Sequence, residues 1–252
     1  MRIKQFRCAN NVRYFAQRMM DKFSLVPFVD ESEPVILYGM YKDEDYELLK
    51  KTKGTVVWCG TDAMVVSQKR ADIIKAHPHR HIAKSKQVQS SLRKWKIDSE
   101  LIPVTSTPLD IQCKPRGNMV YAYVCSDNHV MYSKYRMPIL QRLSQDLPYK
   151  FIFTTIKKYK SDELLAIYEK CFIGVRLLDH DGLSNSILEM GLMGRRTISN
   201  SGLPGTIPWG GYKVLKQNVE KEYAHRKEDN KTIPDAVRKF IDIDDQWLEY
   251  QS

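Results

Sequence analysis

What this sequence has least of is uninterrupted hydrophobicity. Its longest apolar runs, such as Val35 to Leu37 and Val56 to Cys59, fall far short of the roughly 18 to 20 residues that cross a bilayer. Met1-Arg2-Ile3-Lys4-Gln5-Phe6 carries charge with no apolar stretch behind it. That pattern is not a secretory leader, and the expectation is a cytoplasmic protein. Cysteine is sparse: Cys8, Cys59, Cys113, Cys125 and Cys171 are scattered, odd in number and free of any Cys-x-x-Cys pair. Such thiols fit a reducing compartment and argue against a disulfide frame or a zinc site. No internal repeat, zinc-finger spacing, RNP-type aromatic motif or basic-zipper pattern is present. The net charge of +10 therefore points to a phosphate-bearing substrate or to attraction at an anionic surface, peripheral membrane contact included. It gives no ground for sequence-specific nucleic-acid reading.

The composition is otherwise that of an ordinary globular chain, with 42% hydrophobic and 28% charged residues, so a core can be buried. At 252 residues the chain is long enough for two domains of about 100 to 130 residues. After a short N-terminal strand and a helix around Asn11 to Phe23, β-branched runs alternate with amphipathic stretches in the rhythm of βαβ units. The first half reads strand 34–39, helix 43–51, strand 54–60, helix 64–76, strand 81–85, helix 86–95 and strand 101–104. Residues 105–118 are rich in turn formers and read as a linker. The second half repeats the architecture: strand 119–125, helix 132–145, strand 149–154, helix 162–170, strand 172–178, helix 184–193 and strand 196–199. The expected fold class is α/β, with two Rossmann-like lobes at 1–112 and 113–235. Residues 236–252 are expected to form a C-terminal helix returning to the first lobe.

One segment carries chemistry. Phe172-Ile-Gly-Val-Arg-Leu-Leu-Asp-His-Asp-Gly-Leu-Ser-Asn-Ser-Ile-Leu-Glu189 reads strand, tight loop, helix. Ser184 or Asn185 is placed to cap that helix, and its first amides have no partner within the helix. Such an end attracts an anion. Glu189, one turn further on, can offer a carboxylate to two hydroxyls of a ribose.

These residues resemble the donor-binding motif of the GT-B group 1 glycosyltransferases, in which two acids stand eight positions apart. Here Asp181 and Glu189 occupy the acidic positions, with Gly182-Leu183-Ser184 following the first. The resemblance covers Ser161 to Ser199 and looks closest to compact glycosyltransferases of large DNA viruses. It implies a GT-B-like cleft between the lobes and transfer of a sugar from a nucleotide-sugar donor, such as a UDP- or GDP-sugar, to a hydroxyl of a growing glycan. It implies no further cofactor. By the same resemblance, Glu189 holds the ribose, Gly182, Leu183, Ser184 and Asn185 contact sugar or diphosphate, and Asp181 lies near the sugar ring. Arg176, Lys157 and Lys158, each at the end of a strand, are candidate cations for the diphosphate.

Several weaker signals accompany this one. Asp179-His-Asp181, Asp43-Glu-Asp45 and Asp242-Ile-Asp244 match a metal-holding Asp-x-Asp pattern, but each lacks the further oxygen ligands a hard cation needs, and no metal is expected. His77-Pro-His-Arg-His81 reads as a loop entering a strand. Asp62, after the strand 54–60, is the candidate general base for the acceptor, with a plain helix cap as its other reading. A non-catalytic nucleotide- or sugar-binding module, or a basic nucleic-acid-binding protein, is the alternative to an enzyme.

Overall fold

The computed structural model describes residues 1–124, 129–154, 159–179, 181–228 and 230–250. The chain divides into two compact units. Unit 1 comprises Met1–Thr107 together with Ile241–Ser252, and unit 2 comprises Pro108–Phe240.

Unit 1 contains β1 (Gln5–Cys8), a 3-10 helix (Asn10–Phe15), α1 (Ala16–Phe23), β2 (Val26–Pro27), β3 (Val35–Tyr38), α2 (Asp43–Lys51), β4 (Gly54–Trp58), α3 (Thr61–Met64), α4 (Gln68–Ala76), β5 (Arg80–Ala83), α5 (Lys86–Arg93) and β6 (Glu100–Leu101). Its strands form a parallel sheet in the order β2-β1-β3-β4-β5-β6. Both faces are covered, and the period-two rule of a strand sorts the side chains between them. Val35, Leu37, Val56 and Trp58 face a core with Leu49, Ile74 and Leu92 of the helices. Ile36, Tyr38 and Val57 face the opposite core, which contains Met19 and Phe23 of α1 and also Trp247 and Leu248 near the C-terminus. The Trp247 ring stands edge-on to Phe23 at 5.0 Å, and Leu248 accepts a hydrogen bond from the Ile3 amide at 2.8 Å. Gly54 is required where it stands: its φ is +136°, and a Cβ there would lie 2.2 Å from the Val35 carbonyl oxygen, so only glycine lets β4 lie beside β3 in this register.

Unit 2 contains β7 (Met119–Ala122), α6 (His129–Lys134), α7 (Met137–Asp146), β8 (Phe151–Phe153), α8 (Ser161–Glu169), β9 (Cys171–Val175), α9 (Asn185–Leu192), β10 (Arg196–Ile198), β11 (Thr206–Ile207), α10 (Tyr212–Ala224) and α11 (Thr232–Ile241). The sheet is again parallel, in the order β11-β10-β9-β7-β8. Its core gathers Val120, Ala122, Ile173, Val175, Leu140, Leu143, Leu215 and Val219.

Unit 2 is tied together by one cation without a carboxylate partner among the described residues. Arg195 is fully buried, and its guanidinium donates to six backbone carbonyls: Lys114, Pro115, Tyr168, Glu169, Cys171 and Met193. The planar fork of arginine supplies five N–H groups and suits such a task. It fastens the chain entering unit 2 to the end of α8, the start of β9 and the end of α9.

The α/β class expected from the sequence is the one observed. Two expected helices differ. The stretch 64–76 starts later, as α4, with the short α3 ending at Met64 ahead of it, and the stretch 132–145 is broken into α6 and α7 around Arg136, whose φ is +55°. Pro138 explains that break, because it has no amide to give and its ring displaces the carbonyl one turn earlier.

Candidate functional site

In a parallel sheet, ligands bind beyond the carboxyl ends of the strands, at the point where the strand order reverses. In unit 2 that point lies between β7 and β9. Residues 176–179 and 181–184, between β9 and α9, border it on one side, and Tyr123, just past β7, borders it on the other.

Arg176 continues the β9 ladder by donating its amide to the Ile198 carbonyl at 3.0 Å. Its guanidinium then turns to Asp181, Nη2 donating to Oδ1 at 2.9 Å and Nε to Oδ2. The pair is nearly closed to solvent, with side-chain exposures of 12% and 6%. The guanidinium carbon sits 3.9 Å from the centre of the Tyr123 ring, so the ion pair and its aromatic platform span the switch point. Burial works against the charge on Arg176, and Asp181 more than restores it. A two-toothed, stacked arginine of this kind is held in one orientation.

Leu183 and Ser184 are buried beneath the loop, and Gly182 is half-buried. Ser184 occupies the N-cap position of α9 but makes no side-chain cap hydrogen bond; its Oγ lies 3.0 Å from the Ser186 Oγ instead. This corrects the expected cap, whose position was right and whose bonding was not. Asn185 is the first residue of α9, and Glu189, inside the helix, is buried at 3% exposure. The Tyr168 hydroxyl lies within the field of the Glu189 carboxylate, which adds to the upward push of burial on that phenol. Lys157 and Lys158 lie outside the described residues.

Asp179, two residues before Asp181, serves a different arginine. Its two oxygens accept from Arg136 Nη2 at 2.8 and 2.9 Å, and Arg136 stacks 5.3 Å from the Trp209 ring centre. A cavity of about 320 Å³ opens beside this pair, lined by Ser133, Lys134, Arg136, Leu178 and Asp179. The two acids of Asp179-His-Asp181 therefore do not converge. Asp43 pairs with Arg70, while Asp45 accepts the amides of Tyr41 and Lys42. Among the described residues no group of three His, Cys, Asp or Glu side chains is placed to hold a metal ion. His81 accepts a hydrogen bond from Trp58 Nε1 at 3.3 Å, so the histidine cluster leads into β5 as the sequence suggested.

In unit 1, Asp62 is fully buried. Its carboxylate accepts the amides of Cys59, Gly60 and Ala63 on its own loop, and that of Met40 past β3. Burial pushes its carboxyl up and these amides pull it back. The arrangement binds two strand-end loops together and turns neither oxygen toward solvent. Nearby, Lys84, the first residue past β5, is 3% exposed and donates to the Tyr38 hydroxyl at 2.6 Å. Sequence reasoning passed over Lys84, Tyr123, Arg136 and Tyr168. Only their places at strand ends or helix ends offered a signal.

No protein-family model matches the chain, and no curated protein matches it by sequence. Solved structures do match. Sucrose-phosphate synthase from Thermosynechococcus elongatus superposes with a TM-score of 0.60 at 12% identity, over 92% of this chain and 75% of that one. TarM of S. aureus, in a structure of its G117R mutant with fondaparinux, alpha-GlcNAc-glycerol and UDP, gives 0.59 at 8% identity, over 93% and 57%. The fold is that of glycosyltransferases. The pneumococcal O-GlcNAc transferase GtfA, in complex with UDP and GlcNAc, superposes at 0.51 with 10% identity, over 92% of this chain. The chain thus spans little more than half, 57%, of TarM and of GtfA.

Proposed function

We propose that the protein is a glycosyltransferase that moves a sugar from a nucleotide-sugar donor to a hydroxyl acceptor, a glycan in our reading, with unit 2 holding the donor. The observation that carries this is the closed Arg176–Asp181 pair on Tyr123, at the switch point of a parallel sheet and one loop away from Glu189 on α9. Glu189 accepts the ribose hydroxyls. The start of α9, at Ser184 and Asn185, faces the diphosphate, and the fixed dipole of the helix end favours its charge. Asp181 uses two of the guanidinium N–H groups of Arg176, and the remaining ones serve the leaving diphosphate together with Lys157 and Lys158. Asp181 thereby sets the arginine and borders the sugar. We assign no proton transfer to Asp62, since a base must present a lone pair to the acceptor hydroxyl; its part is to hold the loops of unit 1. The scattered free thiols Cys8, Cys59, Cys113 and Cys171 support a reducing, cytosolic setting for the reaction.

A thermal-shift screen of UDP-, GDP- and ADP-linked sugars tests the reading, because a ligand bound only by the folded chain raises its melting temperature. One nucleotide class is expected to raise it and to undergo slow hydrolysis without acceptor; no shift from any of them overturns the proposal. Turnover is expected to persist in EDTA, with the helix end and the basic side chains carrying the phosphate charge. Loss of turnover on chelation, restored by manganese or magnesium, removes the metal-independent form of the mechanism.

A further inference from the structure

The chain between β9 and α9, which carries Arg176 and Asp181, is held from a second side by a residue that the donor reading does not use. Arg136 stands between α6 and α7 with a φ of +55°, in the left-handed region that glycine enters freely and arginine does not. Its backbone serves α7, where its carbonyl accepts the amides of Ile139 and Leu140 at 3.0 and 3.2 Å. Its side chain leaves that element. Nη2 donates to both oxygens of Asp179, at 2.8 and 2.9 Å, and the guanidinium carbon lies 5.3 Å from the centre of the Trp209 ring. The Trp209 amide donates in turn to Asn200 Oδ1 at 2.9 Å. One arginine thus joins the start of α7, the segment ahead of α9 and the segment that follows β11.

Asp179 and Asp181 stand two positions apart and are drawn to different cations. Arg176 reaches Asp181 from the end of β9, and Arg136 reaches Asp179 from the start of α7. A segment that must be ordered when its ligand arrives loses affinity to that ordering, and a segment fixed beforehand does not. We infer that Arg136 is a positioning residue for donor binding: through Asp179, and braced on Trp209, it fixes the chain ahead of α9 in the conformation in which Arg176, Asp181 and the helix start meet the nucleotide. It acts through the acid and makes no contact with the donor itself. The pair is open to solvent, with side-chain exposures of 38% and 75%, and the cavity of about 320 Å³ opens beside it. An ion pair in such a place adds little to global stability, so its effect falls on binding and not on folding. The inference rests on the assignment of this segment to the donor.

The test is a double-mutant cycle on the whole chain, with affinity measured by calorimetric titration of UDP, GDP and ADP, and continued with whichever binds tightest. Arg136→Gln and Asp179→Asn are each expected to weaken that nucleotide about three- to fivefold, and the double variant no more than either alone. Arg136→Gly separates this role from a structural one. Glycine suits the left-handed backbone there, so its melting temperature is expected to match or exceed that of wild type while its affinity falls as in Arg136→Gln. A melting temperature that drops in step with affinity overturns the inference, as do losses that multiply in the double variant. Asp179→Asn binding as tightly as wild type beside a weakened Arg136→Gln means that Arg136 meets the nucleotide directly, and overturns it too. If the wild type binds none of the three nucleotides, the donor reading fails first and this role fails with it. Binding that Glu189→Gln weakens and that neither Arg136→Gln nor Asp179→Asn alters overturns the arginine alone.

Discussion

Glu189 is the residue on which the donor reading stands or falls. A glutamine in its place has one acceptor oxygen and presents an NH2 where the ribose also donates. Hydrogen bonds to a charged acceptor are worth about 1.5 to 3 kcal/mol each, so Glu189→Gln and Glu189→Ala are expected to cost roughly tenfold or more in nucleotide affinity. Calorimetric titration checks this, and unchanged affinity in a folded Glu189→Ala protein rules it out. His81 gives a second test at this scale, one that concerns stability. Burial lowers its pKa from 6.5 to about 4. Between those values the unfolded chain takes up a proton that the folded chain refuses, so stability is present above pH 6.5 and is lost as the pH falls toward 4. The loss amounts to at most about 3 kcal/mol. Urea unfolding at pH 7, 5.5 and 4 is expected to show it, and His81→Phe to flatten that part of the slope. A wild-type stability that does not change over this range contradicts the assignment.

The elements divide into those whose evidence is local and those whose evidence is not. Helix α2, at Asp43–Lys51, follows from its acidic first turn, its basic last turn and the spacing of Tyr46 and Leu49. Helix α9 was legible from the glycine-bearing loop before it, and the central strands from their unbroken β-branched runs. Strands β2 and β11 are two residues each and exist only because a neighbouring strand pairs with them, which no local pattern records. Helix α10, at Tyr212–Ala224, is not among the helices expected from the sequence; Leu215 and Val219 on it are drawn to the core of unit 2. The site shows the same division. The residue types of Arg176, Asp181 and Glu189 were readable, whereas the pairing of Arg176 with Asp181 over Tyr123 depends on strands 53 residues apart in sequence meeting at the register Ala122 to Val175. Arg195 lies at the far end of that spectrum, since nothing in Gly194-Arg195-Arg196 foretells six carbonyl partners. Arg195→Met is expected to leave those carbonyls buried without donors and to destabilise the protein by about 3 kcal/mol or more. Chemical denaturation measures the loss, and a change below about 0.5 kcal/mol refutes the clamp.

Charge is a property of the whole chain, and its sequence distributes it unevenly. Residues 108–240 hold 21 Lys and Arg against 14 Asp and Glu, which leaves most of the excess in the unit proposed to take an anionic donor. Long-range attraction of this kind is screened by salt and does not read sequence. A defined DNA duplex and its scrambled counterpart are expected to bind equally weakly, with affinity falling steeply from 50 to 200 mM salt. A clear preference for one duplex at physiological salt defeats this view. The division of the chain carries one more implication. Trp247 and Leu248 belong to a core of unit 1 that also contains Ile3, Phe6 and Phe23. As the chain is synthesised, residues 108–240 leave the ribosome, and can fold, while the unit that began first still lacks part of its interior. The side of α1 that meets Trp247 therefore stays open to chaperones until Trp247 itself has been added, after residues 108–240 are available to fold.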